Sequence, residues 1–142
     1  MPAIAIPSSS SPSRALHISL WVVQALLGAA FLMAGFTKAT QPMDMLAAQM
    51  PWTAVVGEGM TRFIGISEVL GAVGLILPAL TRIKPKLTAL AGAGLVTVMV
   101  LAMGFHLARG EMMALPINGV LAALAAFVAW GRFRAAPIAP RA

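Results

Sequence analysis

Hydrophobic positions in this chain are gathered into four long runs, about Leu16 to Thr37, Phe63 to Leu80, Leu87 to Ala108 and Leu115 to Trp130. Each is almost unbroken rather than striped with polar residues, which is the pattern of a helix surrounded by apolar material on every side. At 1.5 Å per residue, spans of ~18 to 22 residues cover the ~30 Å hydrocarbon layer of a bilayer. The pattern predicts an all-α membrane protein, an antiparallel four-helix transmembrane bundle, with one domain over residues 16–133. The flanking stretches, residues 1–15 and 134–142, are rich in Ser, Pro and Ala and are expected to be disordered tails. A secretory leader is a poor reading of the first run, because its apolar core exceeds the ~7 to 15 residues of a leader core and no small-x-small cleavage site follows it.

The three connections differ. Thr81 to Lys86 is a short basic turn containing Pro85, and Arg109 to Ala114 is short as well. Pro116 suits the first turn of the fourth helix. Ala39 to Thr61 is long, with Pro42, a mostly apolar Met43 to Met50, Pro51-Trp52 and Gly57-Glu58-Gly59. A short amphipathic helix in the membrane interface, anchored by Trp52, fits that segment, with a solvated loop as the alternative.

Charge sharpens the picture. When the runs are folded back and forth, Arg14, Arg82, Lys84, Lys86, Arg132, Arg134 and Arg141 share one side with no acid. Asp44, Glu58, Glu68 and Glu111 all lie on the other, with Lys38, Arg62 and Arg109. The sides carry +7 and −1, which together make the chain's +6. Lys and Arg are retained in cytoplasmic loops during insertion, so the expectation is a multi-pass membrane protein with both termini cytoplasmic. The basic balance does not indicate nucleic acid, since the cations are dispersed and no aromatic residues interleave with them. Membrane lipid is the partner it implies. The chain has no cysteine, so thiol nucleophiles and thiolate-held clusters are excluded, and redox chemistry would need an organic cofactor, a haem or a partner subunit.

Candidate chemistry lies at one depth. Lys38 ends the first span, Arg62 opens the second, and Glu68 lies six residues further in, about 9 Å along the axis. His106 is near the end of the third span and Asn118 near the start of the fourth. An intramembrane carboxylate needs a partner or a proton. Lys38 is the better partner for Glu68, because Arg62 is about 120° around the same helix. These five residues are candidates for a shared polar, ligand-binding pocket. Each also has a plainer role: snorkelling for Lys38 and Arg62, an ion pair for Glu68, a structural hydrogen bond for His106, a helix-joining bond for Asn118. Gly28, Gly35, Gly65, Gly71, Gly74, Gly92 and Gly94 indicate close helix packing beside them. A zinc site assembled from His106, Glu68 and Glu111 or Asp44 is only loosely specified, and no metal is assigned. A quinone or other small amphiphile suits the pocket's chemistry: His106 and Lys38 would contact its carbonyl and Glu68 would relay a proton.

Phe31-x-x-Ala34-Gly35-x-x-Lys38, then Arg62-Phe-Ile-Gly65-x-x-Glu68-x-x-Gly71-x-x-Gly74-Leu-Ile-Leu-Pro78, Phe105-His106 and Asn118 resemble the DoxX-like family over about Leu16 to Phe133. The resemblance implies a small bacterial four-helix membrane protein. Because that family is named after a subunit of a thiosulfate:quinone oxidoreductase, it also implies an auxiliary or partner-binding place in a membrane-associated oxidoreductase system. The partner would be an oxidoreductase subunit or a second copy of the chain, and the protein would not be catalytic by itself. Small-molecule or proton-coupled transport and a purely structural scaffold are the alternatives.

Overall fold

In a computed structural model, described over residues 12–142, the chain forms five α-helices. They are α1 (Arg14–Thr40), α2 (Met43–Gln49), α3 (Trp52–Thr81), α4 (Lys86–Ala108) and α5 (Leu115–Trp130). A 3-10 turn, Met112–Ala114, leads into α5, and a π-helical turn, Gly131–Ala135, continues it. Four helical stretches are long and apolar enough to cross a membrane: Arg14–Thr40, Trp52–Thr81, Lys86–Ala108 and Met112–Ala135. The residues expected to form an N-terminal tail lie outside the described part up to residue 11. Ser13 then caps α1, its hydroxyl accepting from the Leu16 amide at 3.2 Å.

Neighbouring spans run antiparallel, as their contacts show. Gln24 near the start of α1 bonds to the Leu75 carbonyl late in α3, while Lys38 at the end of α1 meets Glu68 earlier in α3. Gly71 and Gly74 of α3 face Leu95 and Ala91 of α4, and Gly92 of α4 faces Ala125 and Ala129 of α5. Gly131 closes the ring against Leu20 of α1. The bundle therefore has a terminal end, where α1 begins and α5 finishes, and a far end, where α2 and the Arg109 to Ala114 connection lie.

Its core holds Leu27, Phe31, Ala72, Leu75, Leu95, Met99, Ala125 and Val128. Apolar groups of the same sizes, including Leu26, Met33, Phe63, Leu70, Leu80 and Leu101, also point outward. An apolar exterior suits lipid, where burying apolar area gives little drive between helices and small residues at the seams let backbones approach. Gly94 is an exception among the glycines expected to pack: a Cβ there would meet nothing within 4 Å.

Two segments differ from the sequence expectation. In the long connection the expected short helix is present as α2, Met43–Gln49, but α3 begins already at Trp52 rather than near Phe63. Gly57 alone, at φ 79° and ψ 171°, absorbs a kink that a residue with a Cβ would resist. Buried Thr61 donates to the Gly57 carbonyl at 2.9 Å, which satisfies its hydroxyl within the helix. The expected disorder over residues 134–142 also meets a different geometry. Ala136 is fully buried, the Arg141 amide donates to the Arg82 carbonyl at 3.0 Å, and Arg82 Nε donates to the Ala139 carbonyl at 3.0 Å. Arg82, left-handed at φ 61°, ends α3 and turns its own backbone and side chain toward this segment.

Candidate functional site

The far end of α1 reads Gly35-Phe36-Thr37-Lys38, and α3 carries Gly65-Ile66-Ser67-Glu68. In each, the glycine and the charged residue are three apart and share a helix face. The two faces meet. A Cβ on Gly35 would sit 2.6 Å from the Gly65 carbonyl oxygen, and one on Gly65 would sit 2.7 Å from the Gly35 carbonyl oxygen. This backbone approach brings Lys38 Nζ to 2.7 Å from Glu68 Oε2. The residues are 7% and 3% exposed, so neither can exchange its partner for water without the helices moving.

Arg62 joins the group without touching the carboxylate of Glu68. Its NH1 donates to the Lys38 carbonyl at 2.8 Å, and its NH2 to Glu58 Oε1 at 3.2 Å. The first bond satisfies a last-turn carbonyl of α1 that has no helical partner; the second is an exposed i,i+4 pair of little energetic weight.

His106 anchors a second cluster. Its Nδ1 is 2.6 Å from Glu111 Oε2, and Arg109 Nε donates to Glu111 Oε1 at 2.7 Å. Trp52 and Phe105 meet the imidazole edge-on, at centroid distances of 6.3 and 5.5 Å. Trp52, expected to be an interface anchor, thus also packs the start of α3 on the end of α4. No hydrogen bond or ion pair joins this cluster to Lys38 and Glu68 among the described residues, and Asn118, partly buried on α5, is bonded to neither. The five candidates are divided accordingly: Lys38, Arg62 and Glu68 together, His106 with Glu111 and Arg109, Asn118 apart. Among the described residues no three His, Asp or Glu side chains stand close enough to share a metal ion, so the zinc grouping is not assembled.

The His106 hydrogen bond, then Arg109, holds the Glu111 carboxyl below its ordinary value of 4.5. A depressed carboxyl contributes stability above its unfolded value and loses it as the pH falls toward the folded one. The Arg109 to Ala114 connection is therefore expected to loosen as pH drops below about 4.5. Protection of the Glu111 to Ala114 amides, taken relative to the intrinsic exchange rate at each pH, should fall there, and Glu111→Gln should show the lowered protection already at pH 7.

The sequence profile of the DoxX-like family matches residues 22–128, which takes in Lys38, Arg62, Glu68, His106 and Asn118 and most of all four spans. The chain belongs to the DoxX-like family. No curated protein and no solved structure matches it. In this DoxX-like chain the family match and the four spans together make an integral membrane protein.

A third polar cluster, at the terminal end, escaped the sequence reading. Arg132 is 3% exposed and Gln24 fully buried. Arg132 Nε donates to Gln24 Oε1 at 2.6 Å, Gln24 Nε2 donates to the Leu75 carbonyl at 2.7 Å, and Trp21 Nε1 donates to His17 Nε2 at 3.2 Å. Arg132 had been grouped with the flanking cations, from which it is indistinguishable by position. The available signal was the spacing of His17, Trp21 and Gln24, four and three residues apart, which places all three on one face of α1.

Proposed function

We propose that this DoxX-like protein is an auxiliary, partner-binding subunit of a membrane-associated oxidoreductase system, not catalytic by itself, in a bacterial inner membrane. The observation that carries the reading is how the far-end ionisable groups other than exposed Asp44 are spent. Lys38 and Glu68 hold each other, Arg62 holds Glu58 and the end of α1, and Glu111 holds both His106 and Arg109. Acid–base chemistry needs a group free to accept or release a proton at a substrate; paired in this way, these groups are committed to one another, and those of Lys38, Glu68 and Arg62 brace α1 against α3. Braced helices present a fixed surface on which a partner docks. The redox association is supported by the family resemblance; with no cysteine in the chain, a redox centre would be a bound organic cofactor such as a quinone, a haem, or one carried by a partner subunit.

Native mass spectrometry of the protein released in mild detergent tests this. A stoichiometric second polypeptide carrying a redox centre is the expected result. A quinone retained by the chain alone would move the chemistry into this protein, and a monomer with neither would overturn the subunit reading.

Both termini are proposed to be cytoplasmic, supported by the +7 against −1 division of charge and short loops in which Lys and Arg count fully. Cysteines introduced at exposed Lys84 and Glu58 would be the chain's only thiols. In intact cells an impermeant reagent is expected to label position 58 and spare position 84; the reverse pattern would invert the orientation.

A further inference from the structure

At the terminal end the structure holds a buried cation for which the chain supplies no counter-charge. All four Asp and Glu residues lie in the other half, and every ion pair among the described residues is at the far end. Arg132 is offered only neutral groups: Gln24 Oε1 at 2.6 Å, the Ala136 carbonyl at 3.2 Å, His17 Nδ1 at 3.3 Å and the Trp21 ring, whose centroid is 5.4 Å from Cζ. Its second terminal nitrogen, NH2, is buried without a partner among the described residues.

The His17 contact is itself unsatisfied. A neutral imidazole has one lone pair to offer, yet Trp21 Nε1 approaches Nε2 at 3.2 Å while Arg132 NH1 approaches Nδ1 at 3.3 Å. Two donors cannot both be accepted. An unpaired buried charge is costly enough that it is normally matched by an anion or a metal-bound group. Here the matching anion must come from outside the side chains of this protein.

There is a place for it. An open cleft of about 400 Å³ is lined by His17, Trp21, Leu80 and Arg82 and by Pro137 and Ile138 of the C-terminal segment. Its wall thus includes the two rings that touch Arg132, and Arg82 adds an exposed guanidinium at the same cleft. Leu80, Pro137 and Ile138 give it an apolar side. One guanidinium and an imidazole at the cleft, with the Arg132 guanidinium behind the rings and apolar groups beside them, suit a phosphate group carried on an apolar body, since a guanidinium fork matches phosphate oxygens.

We propose that this cleft binds the phosphate group of an anionic ligand. Arg82 and His17 form the cleft face of the site, and Arg132 supplies charge from behind the His17 and Trp21 rings. The two sources with this chemistry are the headgroup of an anionic phospholipid and a soluble phosphate ester. This site is independent of the far-end clusters and of the subunit reading.

Purified full-length protein in neutral detergent is titrated with phosphatidylglycerol, phosphatidylcholine and inorganic phosphate, read by native mass spectrometry and by thermal stability. Phosphatidylglycerol is expected to remain bound and to raise the melting temperature, with phosphatidylcholine doing neither. Arg82→Gln should weaken binding about tenfold, the loss of one charge-assisted contact, and Arg132→Gln, which removes the charge behind the rings, should weaken it severalfold. Lys84→Gln, which removes the same charge from the exposed turn nearby, should leave it unchanged. Inorganic phosphate competing at low millimolar concentration would support the phosphate site and assign it to a soluble ester. Equal weakening by Lys84→Gln, or no preference for phosphatidylglycerol or phosphate over phosphatidylcholine, would overturn the proposal. If Arg132→Gln loses its helical circular dichroism, exposed Arg82→Gln and the ring variant Trp21→Leu decide the outcome on the same criteria.

Discussion

Glu68→Gln is expected to destabilise the folded bundle by about 3–5 kcal/mol, because it removes one member of a buried pair and strands the other. The side chain keeps its size and its place on α3, so the loss is electrostatic rather than a cavity. Lys38 Nζ then has only neutral acceptors, the amide oxygen of the new Gln and the Ala34 carbonyl at 3.5 Å, in a position 7% exposed. Lys38→Leu strands the carboxylate in the same way, although a carboxylate can relieve itself by binding a proton. The combination Lys38→Leu with Glu68→Leu leaves no charge behind. Replacing a whole buried pair by apolar groups is often neutral or better, so the double variant should melt above both single variants. Unfolding followed in detergent would measure this cycle. Should Glu68→Gln melt with the wild type, the pair is not holding α1 to α3. A well-folded double variant then asks about function separately: if it has lost its partner, the pair is part of the docking surface, and if binding persists the pair is structural.

Gly35→Ala and Gly65→Ala should each cost about 1–3 kcal/mol, the range for overpacking a filled interior. The new methyl on Gly35 meets the Gly65 carbonyl oxygen at 2.6 Å and the Val69 amide nitrogen at 2.9 Å; on Gly65 it meets the Gly35 carbonyl oxygen at 2.7 Å and the Ala39 nitrogen at 2.8 Å. These obstacles are backbone, which cannot rotate aside, so the helices themselves must separate. Lys38 and Glu68 sit one turn away on the same faces, and their 2.7 Å contact should lengthen as a result. Because the two glycines share one contact, the paired substitution should cost less than the two effects added. Gly94→Ala and Gly104→Ala provide the opposite sign. Nothing lies within 4 Å of either new methyl, and Ala exceeds Gly in helix propensity by up to about 1 kcal/mol. Melting temperatures of the four variants separate crowding from propensity, and equal behaviour at all four positions would remove the close approach as an explanation.

Much of this architecture is legible in one dimension. Span number and order follow from run length, which is set against a fixed bilayer thickness, and the division of charge follows from which loops alternate. The depth of Lys38, Arg62, Glu68, His106 and Asn118 follows as well, because rise per residue is constant. Even the preference of Glu68 for Lys38 over Arg62 is accessible, since Arg62 and Glu68 are on one helix whose angular spacing is known.

Rotation of one helix against another is not accessible in this way. His106 reaches Glu111 rather than Glu68, Asn118 is bonded to neither, and Arg132 turns inward to Gln24 while Arg134, two residues on, is exposed. A surface helix in water declares its inner face by an apolar stripe, but these spans are apolar all round. Their inner faces are decided by where small residues allow backbones to touch, as at Gly35 with Gly65, and by which polar groups then find partners. The same holds for Gly57: its φ of 79° makes a kink inside a helix from a Gly-Glu-Gly sequence that otherwise reads as a loop. Length, depth and charge balance are properties of the chain alone. Which polar groups meet, and which cation is left without an anion, depends on packing between segments far apart in sequence, and that only the tertiary structure decides.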